Sequence, residues 1–185
     1  MRQISLLITA LTLGLLTGVA AAQDEPAGFW TTPAIEGFGQ IHALPKAAYQ
    51  PDPAKTYKII FGMTAGSKEP AQINPAIERV ARTVNLYASA GVPLSHLKFV
   101  AVAYGPATSL ALNDEQYKAA YGVPNPNLPV IARLRKAGVD IAVCGQAVAE
   151  HKYRYEWVDR SVTLALSAIT TITTLENAGY HLMPL

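Results

Sequence analysis

The chain has 185 residues, and its 15 basic and 13 acidic side chains leave a formal net charge of +2. Such a balance gives no reason to expect nucleic acid or an anionic membrane surface as a partner. The single cysteine excludes an intrachain disulfide, and a lone thiol in an oxidising compartment is buried, paired with another molecule or reactive.

Residues 1–22 predict a secretory signal peptide. Arg2 supplies a positive charge, an uncharged apolar run extends from Ile4 to Val19, and small residues lead up to Ala22. A retained membrane anchor is the alternative, but the run is short for a bilayer span of about 20 residues. We therefore expect cleavage after Ala22, export to the periplasm, and a mature chain that is soluble and makes no membrane contact.

Residues 23–54 predict an extended N-terminal arm. Proline and glycine recur throughout this stretch and disfavour regular elements, whereas aromatic residues such as Phe29, Trp30 and Tyr49 argue against plain disorder. We expect the arm to pack across the domain or onto a neighbouring subunit. A partly ordered linker is the alternative.

Residues 55–185 predict one α/β domain in which strands and helices alternate. The first long helix begins at Asn74 and Pro75, a good N-cap followed by a residue suited to the first helical position. Ile77, Val80 and Val84 mark its apolar face, and Asn85 falls on the opposite, polar face. Strands are expected at 56–63, 98–104, 139–144, 161–166 and 180–183, with helical segments at 107–122, 128–137, 146–150 and 168–178. This alternation predicts a layered fold with a mostly parallel sheet of about five strands.

The last predicted helix, residues 168–178, has a repeating apolar pattern. Ile169, Ile172 and Leu175 recur at a spacing that suits one face of a helix, and Ser167 is placed to cap its start. The threonines in this segment weaken the helix prediction, because β-branched residues are mediocre helix formers.

Cys144 is the strongest chemical candidate in the chain. It ends an apolar strand that suits burial on both faces, and good helix formers follow it. Ligands of open α/β sheets bind outside the carboxyl ends of the strands, and the amino end of a helix stabilises a thiolate. The alternative is a buried apolar filler, the common state of free cysteine.

The neighbours of Cys144 suggest a binding crevice. Gly145 would allow a substrate to approach the backbone closely. If Cys144 carried a second, terminal sulfur atom, Gln146 would hydrogen-bond that atom; an ordinary exposed helical residue is the alternative for Gln146. His151 is a candidate proton acceptor if it folds back, with a structural or solvated histidine as the alternative. The residues that end the second strand would line the same crevice: Tyr104, Gly105 and Pro106.

Other site chemistries find no support in the sequence. The four histidines are scattered and there is one cysteine, so we expect no metal site. The sequence has no glycine-rich phosphate loop and no Gly-x-Ser-x-Gly elbow, so we expect no bound cofactor and no hydrolase of the usual kind.

Several segments resemble the DsrE/DsrF/TusD-like family, in particular its exported single-domain branch. They are 99–106 (FVAVAYGP), 125–128 (NPNL), 137–139 (AGV) and 143–146 (VCGQ). The resemblance implies a three-layer α/β/α sandwich, frequent homo- or hetero-oligomers, and sulfur relay by a persulfide on Cys144. It also places Asn125 among the binding residues. In contrast to relatives that often have His-Gly after the second strand, this chain has Tyr104 and Gly105.

Three functions are compatible with these features. The first is a periplasmic sulfur-trafficking protein that carries persulfide sulfur on Cys144, served by a sulfur donor or acceptor protein or by a small sulfur compound. The second is an oligomeric module that binds a small ligand or a partner without covalent chemistry, through Tyr104 or Asn125. The third is a redox sensor that forms an intersubunit disulfide. We place the first ahead, expect a homo-oligomer, and make no choice on whether the chain is an enzyme.

Overall fold

Five parallel strands form the central sheet of the computed structural model, which describes residues 25–185. The predicted signal peptide lies outside these residues. The strands are β1 (Tyr57–Met63), β2 (Leu97–Ala103), β3 (Asp140–Cys144), β4 (Thr163–Ala165) and β5 (His181–Pro184). Their order across the sheet is β4-β3-β2-β1-β5, and every neighbouring pair is parallel. The predicted α/β fold is therefore confirmed, with a sheet that is parallel throughout.

Helices connect successive strands. They are α1 (Pro75–Ser89), α2 (Asp114–Tyr121), α3 (Leu128–Lys136), α4 (Gly145–Glu150) and α5 (Ala168–Asn177). The Asn74 side chain caps α1 by accepting a hydrogen bond from the Ala76 N–H, and the Ser167 hydroxyl caps α5 through the Thr170 N–H. Within residues 25–185, no helix combines the length and the apolar character needed to cross a bilayer.

The two faces of the sheet pack against different helices. Ile59 and Phe61 of β1 point to the face covered by α1 and α3, whereas the intervening Ile60 points to the face covered by α5. This alternation follows from the two-residue period of a strand, and it gives the three layers of the sandwich. Cys144 lies on the α5 face.

The α5 face is the less completely covered one. Ala168, Ile172 and Leu175 of α5 pack on the sheet, a stripe with helical spacing. Ile169 is 77% exposed because it lies off this stripe, so its predicted place on the buried face of the helix is wrong. Leu164 and Leu166 are also exposed, and no residue between 161 and 175 carries a charge.

The N-terminal arm is tied to α1 by Asn85. Its side-chain oxygen accepts hydrogen bonds from the N–H groups of Ala34 and Ile35 at 2.9 and 2.8 Å. Its amide nitrogen donates to the carbonyl oxygens of Phe38 and Gly39 at 2.8 and 2.9 Å. The sequence pattern placed Asn85 on a polar, exposed helix face, but the side chain is fully buried because the arm covers it.

Gly39 marks the closest approach of the arm to α1. A Cβ atom at this position would lie 2.2 Å from the backbone nitrogen of Arg82, and the φ angle is +61°. Only glycine fits that combination of space and backbone conformation. The arm then continues to Ile41, which is buried, as is Ile35 before it. The arm therefore contributes to the core rather than lying loosely on the surface.

Candidate functional site

Cys144 joins β3 to α4. It is the last residue of β3, pairs with Ala165 of β4, and serves as the N-cap of α4. Its Sγ accepts a hydrogen bond from the Ala147 N–H at 3.4 Å. The residue is 6% exposed, and its cluster contains small side chains such as Ala142 and Ala168. The sulfur is thus hydrogen-bonded by backbone and enclosed by small apolar groups.

The connection between β4 and α5 forms one wall beside the sulfur. A Cβ atom on Gly145 would lie 2.8 Å from the Ala165 carbonyl oxygen and 3.4 Å from that of Leu166. Glycine is required here because the backbone itself comes this close. Gln146 fastens the same wall, since its side-chain nitrogen donates to the Leu166 carbonyl oxygen at 3.2 Å.

The segment after β2 contributes Tyr104 to the surroundings of Cys144. The Tyr104 side chain packs against the cluster that contains Cys144, and its hydroxyl lies 3.2 Å from the Cβ position of Gly62. Gly105 has a φ angle of +54°, the left-handed region that favours glycine. Pro106 packs toward Gly66 in the loop after β1. The structure therefore brings Tyr104 and Cys144 into one cluster, whereas Pro106 contacts a different loop.

His151 lies at the C-terminal end of α4, with the helix between it and Cys144. Its Nε2 is 3.0 Å from the Gly105 carbonyl oxygen, and because a carbonyl only accepts, Nε2 carries the proton and donates. The ring also stacks on Tyr153, with ring centres 5.5 Å apart. The proton-acceptor role stays a prediction, and with Nε2 engaged it would fall to Nδ1.

Asn125 belongs to a buried hydrogen-bond network of the scaffold. Its side-chain nitrogen donates to the carbonyl oxygens of Leu110 and Leu112 at 3.0 and 2.6 Å. Its side-chain oxygen accepts from both the backbone and the side-chain nitrogen of Asn127, each at 2.9 Å. Asn127 in turn accepts from the Asn74 N–H at 2.8 Å. All hydrogen-bonding groups of the Asn125 side chain are thereby used, and the ligand contact predicted for it stays a prediction.

A cluster of tyrosines extends outward from His151. The hydroxyls of Tyr121 and Tyr153 are 2.9 Å apart. Burial, the hydrogen bond between the Tyr153 and Tyr121 hydroxyls, and the proximity of Tyr121 and Tyr117 raise the pKa of Tyr153 far above its ordinary value of about 10. Burial and Tyr121 also raise the pKa of Tyr117. The folded state therefore holds these phenol protons more tightly than the unfolded chain does.

Stability is expected to fall in alkaline solution because of this cluster. A pKa raised in the folded state contributes stability that is fully present below the unfolded value of about 10 and is lost as the pH rises toward the folded value. The urea midpoint of unfolding should be lower at about pH 11 than at about pH 8. In Tyr153→Phe the difference between the two midpoints should be smaller. Equal decreases in the two proteins would contradict this assignment.

Sequence reasoning identified Cys144 but missed the wall formed by Ala165 and Leu166. These residues contribute backbone carbonyls, which leave no mark in the side-chain pattern, and they lie about twenty positions after the cysteine. The one available signal was Gly145, since a glycine at the start of a helix indicates a close backbone approach. Within residues 25–185, no three histidine, cysteine, aspartate or glutamate side chains group as metal ligands.

Comparisons with known proteins agree with this fold. Residues 55–185 match the model of the DsrE/DsrF-like family. A solved structure of MTH1491, a protein of unknown function from Methanobacterium thermoautotrophicum, is similar with a TM-score of 0.52 at 15% sequence identity. The similarity covers 70% of this chain and 99% of that one, and it concerns the fold alone. A search of curated proteins found no match.

Proposed function

Because the chain belongs to the DsrE/DsrF-like family over residues 55–185, we propose that it relays sulfur in the periplasm as a persulfide on Cys144. Family membership is consistent with sulfur relay in general. The observation that carries the specific proposal is the position of the sulfur at the β3–α4 junction, where the Ala147 N–H donates to it.

The surroundings of Cys144 suit both states of a sulfur carrier. The Ala147 N–H donates to Sγ at 3.4 Å, a contact that fixes the position of the sulfur atom that attacks the donor and that becomes the inner sulfur of the persulfide after transfer. Small neighbours such as Ala142 and Ala168 keep bulk solvent away, which protects sulfur against over-oxidation. Because the thiol is only slightly exposed, a small donor such as inorganic polysulfide would reach it more easily than a persulfide group on a donor protein.

The transfer needs no external oxidant. The Cys144 thiolate attacks the terminal sulfur of a donor persulfide, R–S–SH, and a new S–S bond forms at Cys144 Sγ. The S–S bond of the donor breaks, and R–S⁻ leaves with its electron pair. The proton stays on the transferred sulfur until the surroundings accept it. An acceptor thiolate reverses these steps and regenerates the Cys144 thiolate.

Mass spectrometry of the protein isolated from the periplasmic fraction would test this proposal. After incubation with inorganic polysulfide, the intact mass should correspond to a chain beginning at Gln23 plus one sulfur atom, located on the peptide that contains Cys144. Cys144→Ser should gain no sulfur, because serine cannot form the S–S bond. A chain that gains no sulfur from polysulfide or thiosulfate, although its thiol is reduced, would contradict the carrier function.

The same experiment separates the two alternative functions. A redox sensor would yield a disulfide-linked dimer in place of the sulfur adduct, an outcome that the low exposure of Cys144 disfavours. A binding module without covalent chemistry would leave the thiol unmodified and make Cys144→Ser silent. The homo-oligomer implied by the resemblance stays a prediction.

A further inference from the structure

A cavity lies far from Cys144, between the N-terminal arm and α1. Its volume is about 660 Å³, and it is bounded by arm residues 42–45, 47 and 49–51, by the last turns of α1 and by Tyr57 at the start of β1. Cys144 is at the carboxyl end of its strand, so the two sites are at opposite ends of the parallel sheet. Small-molecule sites in proteins have volumes of about 300–1,000 Å³. The cavity is therefore large enough for a ligand.

Among residues 25–185, no lysine, arginine, aspartate or glutamate lines this cavity. Leu44, Pro45 and Pro51 line it from the arm, and Leu86 lines it from α1. Aromatic surface comes from the rings of Tyr57 and Tyr87, whose centres are 4.6 Å apart. A charged ligand group would lose its hydration here without gaining a counter-ion. The lining thus favours an uncharged molecule with flat apolar parts.

Among the polar groups in the lining, those of His42 and Tyr87 would orient such a ligand. His42 donates from Nδ1 to the Phe29 carbonyl oxygen at 2.8 Å, so in the neutral ring Nε2 is an acceptor. Tyr87 supplies a hydroxyl, and burial together with Tyr57 raises its pKa, so the hydroxyl stays protonated at neutral pH and donates. Gln50, Ser89 and Tyr57 also line the cavity, but each of these side chains donates to a backbone carbonyl, those of Leu44, Leu86 and Asp52. A few polar groups in a mainly apolar wall are typical of a small-molecule site.

Tyr49 supplies an independent indication. It lines the cavity, is fully exposed, and has a φ angle of +59°. A bulky residue in the left-handed region is strained, and such strain clusters at ligand sites. An exposed ring at the edge of an aromatic cavity is positioned to cover a bound molecule.

We propose that the cavity between the arm and α1 binds an uncharged, flat, largely apolar small molecule, held between Leu86 and the tyrosine rings and hydrogen-bonded by His42 and Tyr87. This binding is independent of sulfur transfer at Cys144.

Two fluorescent probes with the same aromatic frame would test the proposed ligand class. N-phenylnaphthylamine is uncharged, whereas anilinonaphthalene sulfonate adds an anionic group. We expect saturable binding of one N-phenylnaphthylamine per chain, and binding of the sulfonate at least about tenfold weaker, because its charge has no partner in the wall. Absence of saturable binding of the uncharged probe, or equal binding of the two probes, would overturn the proposal.

Two matched variants locate the probe. Leu86 and Leu166 are both exposed, at 47% and 72%, so lysine at either position leaves the fold intact, which equal urea midpoints would verify. Leu86→Lys should weaken binding of N-phenylnaphthylamine at least about tenfold, while Leu166→Lys and Cys144→Ser should bind it as the unmodified chain does. Unchanged binding by Leu86→Lys, or loss of binding in Leu166→Lys, would refute the site.

Discussion

Replacing Asn85 with leucine is expected to lower the free energy of unfolding by about 3–5 kcal/mol. The substitution leaves the N–H groups of Ala34 and Ile35 and the carbonyl oxygens of Phe38 and Gly39 without their shared partner. Leucine has a similar size but can neither donate nor accept a hydrogen bond. The four backbone groups therefore either stay buried without a partner, which is unfavourable, or regain hydrogen bonds to water when the arm detaches from α1. Urea denaturation measures the change.

A matched control separates this network from the general effect of losing an asparagine. Asn177, the last residue of α5, is exposed, and its replacement with leucine should change the free energy of unfolding by less than about 0.5 kcal/mol. Limited proteolysis gives a second readout, because Asn85→Leu should expose the arm to cleavage while the sheet stays resistant. An Asn85 variant that matches the Asn177 control in both measurements would contradict the structural role of the network.

Replacing Gly145 with alanine should slow persulfide formation about tenfold or more, although the thiol itself is unchanged. The added Cβ would lie 2.8 Å from the Ala165 carbonyl oxygen, so the wall beside Cys144 must move. Overpacking of this kind costs about 1–3 kcal/mol, which exceeds the gain of at most about 1 kcal/mol in helix propensity. The rate of sulfur uptake by mass spectrometry and the urea midpoint would measure both effects.

Gly66→Ala is the matched control for that change. A Cβ at Gly66 would meet the Pro106 carbonyl oxygen at 3.3 Å, which a shift of a few tenths of an ångström relieves. This variant should retain nearly the full rate of sulfur uptake. If Gly145→Ala takes up sulfur as fast as Gly66→Ala, the wall formed by Ala165 and Leu166 has no part in the reaction.

The sequence pattern was sufficient for the sheet and the helix starts, because these depend on local features. Apolar runs predicted the five strands within about two residues at each end, and Asn74 and Ser167 predicted the starts of α1 and α5. The position of Cys144 at the junction of strand and helix also followed from local pattern alone.

Features that depend on distant segments could not be predicted in this way. Asn85 matches the polar face of α1, and only the folded arm shows that its amide is buried. Ile169 fits an apolar helix spacing, but the direction in which α5 crosses the sheet leaves it in solvent. The hydrogen bonds that the Asn125 side chain makes to Leu110 and Asn127 were not evident from the sequence, and the ligand contact that the resemblance implies for Asn125 stays a prediction. The burial of Asn85 and the exposure of Ile169 are thus decided by segments far from them in the sequence.

The path of α5 bears on how a shielded thiol can react. This helix connects β4 and β5, which form the two opposite edges of the sheet, so the segment from Thr163 to Pro184 acts as a strap across the side that carries Cys144. β4 has three residues and β5 has four, each pairs with a single neighbouring strand, and the residues of β5 are exposed, so we expect this segment to open before the centre of the sheet does. For the sulfur carrier proposed above, a local opening of this segment would expose Cys144 to a donor while β1, β2 and β3 stay paired. The rate of the proposed sulfur uptake would then depend on how often this segment opens and not only on the average exposure of the thiol.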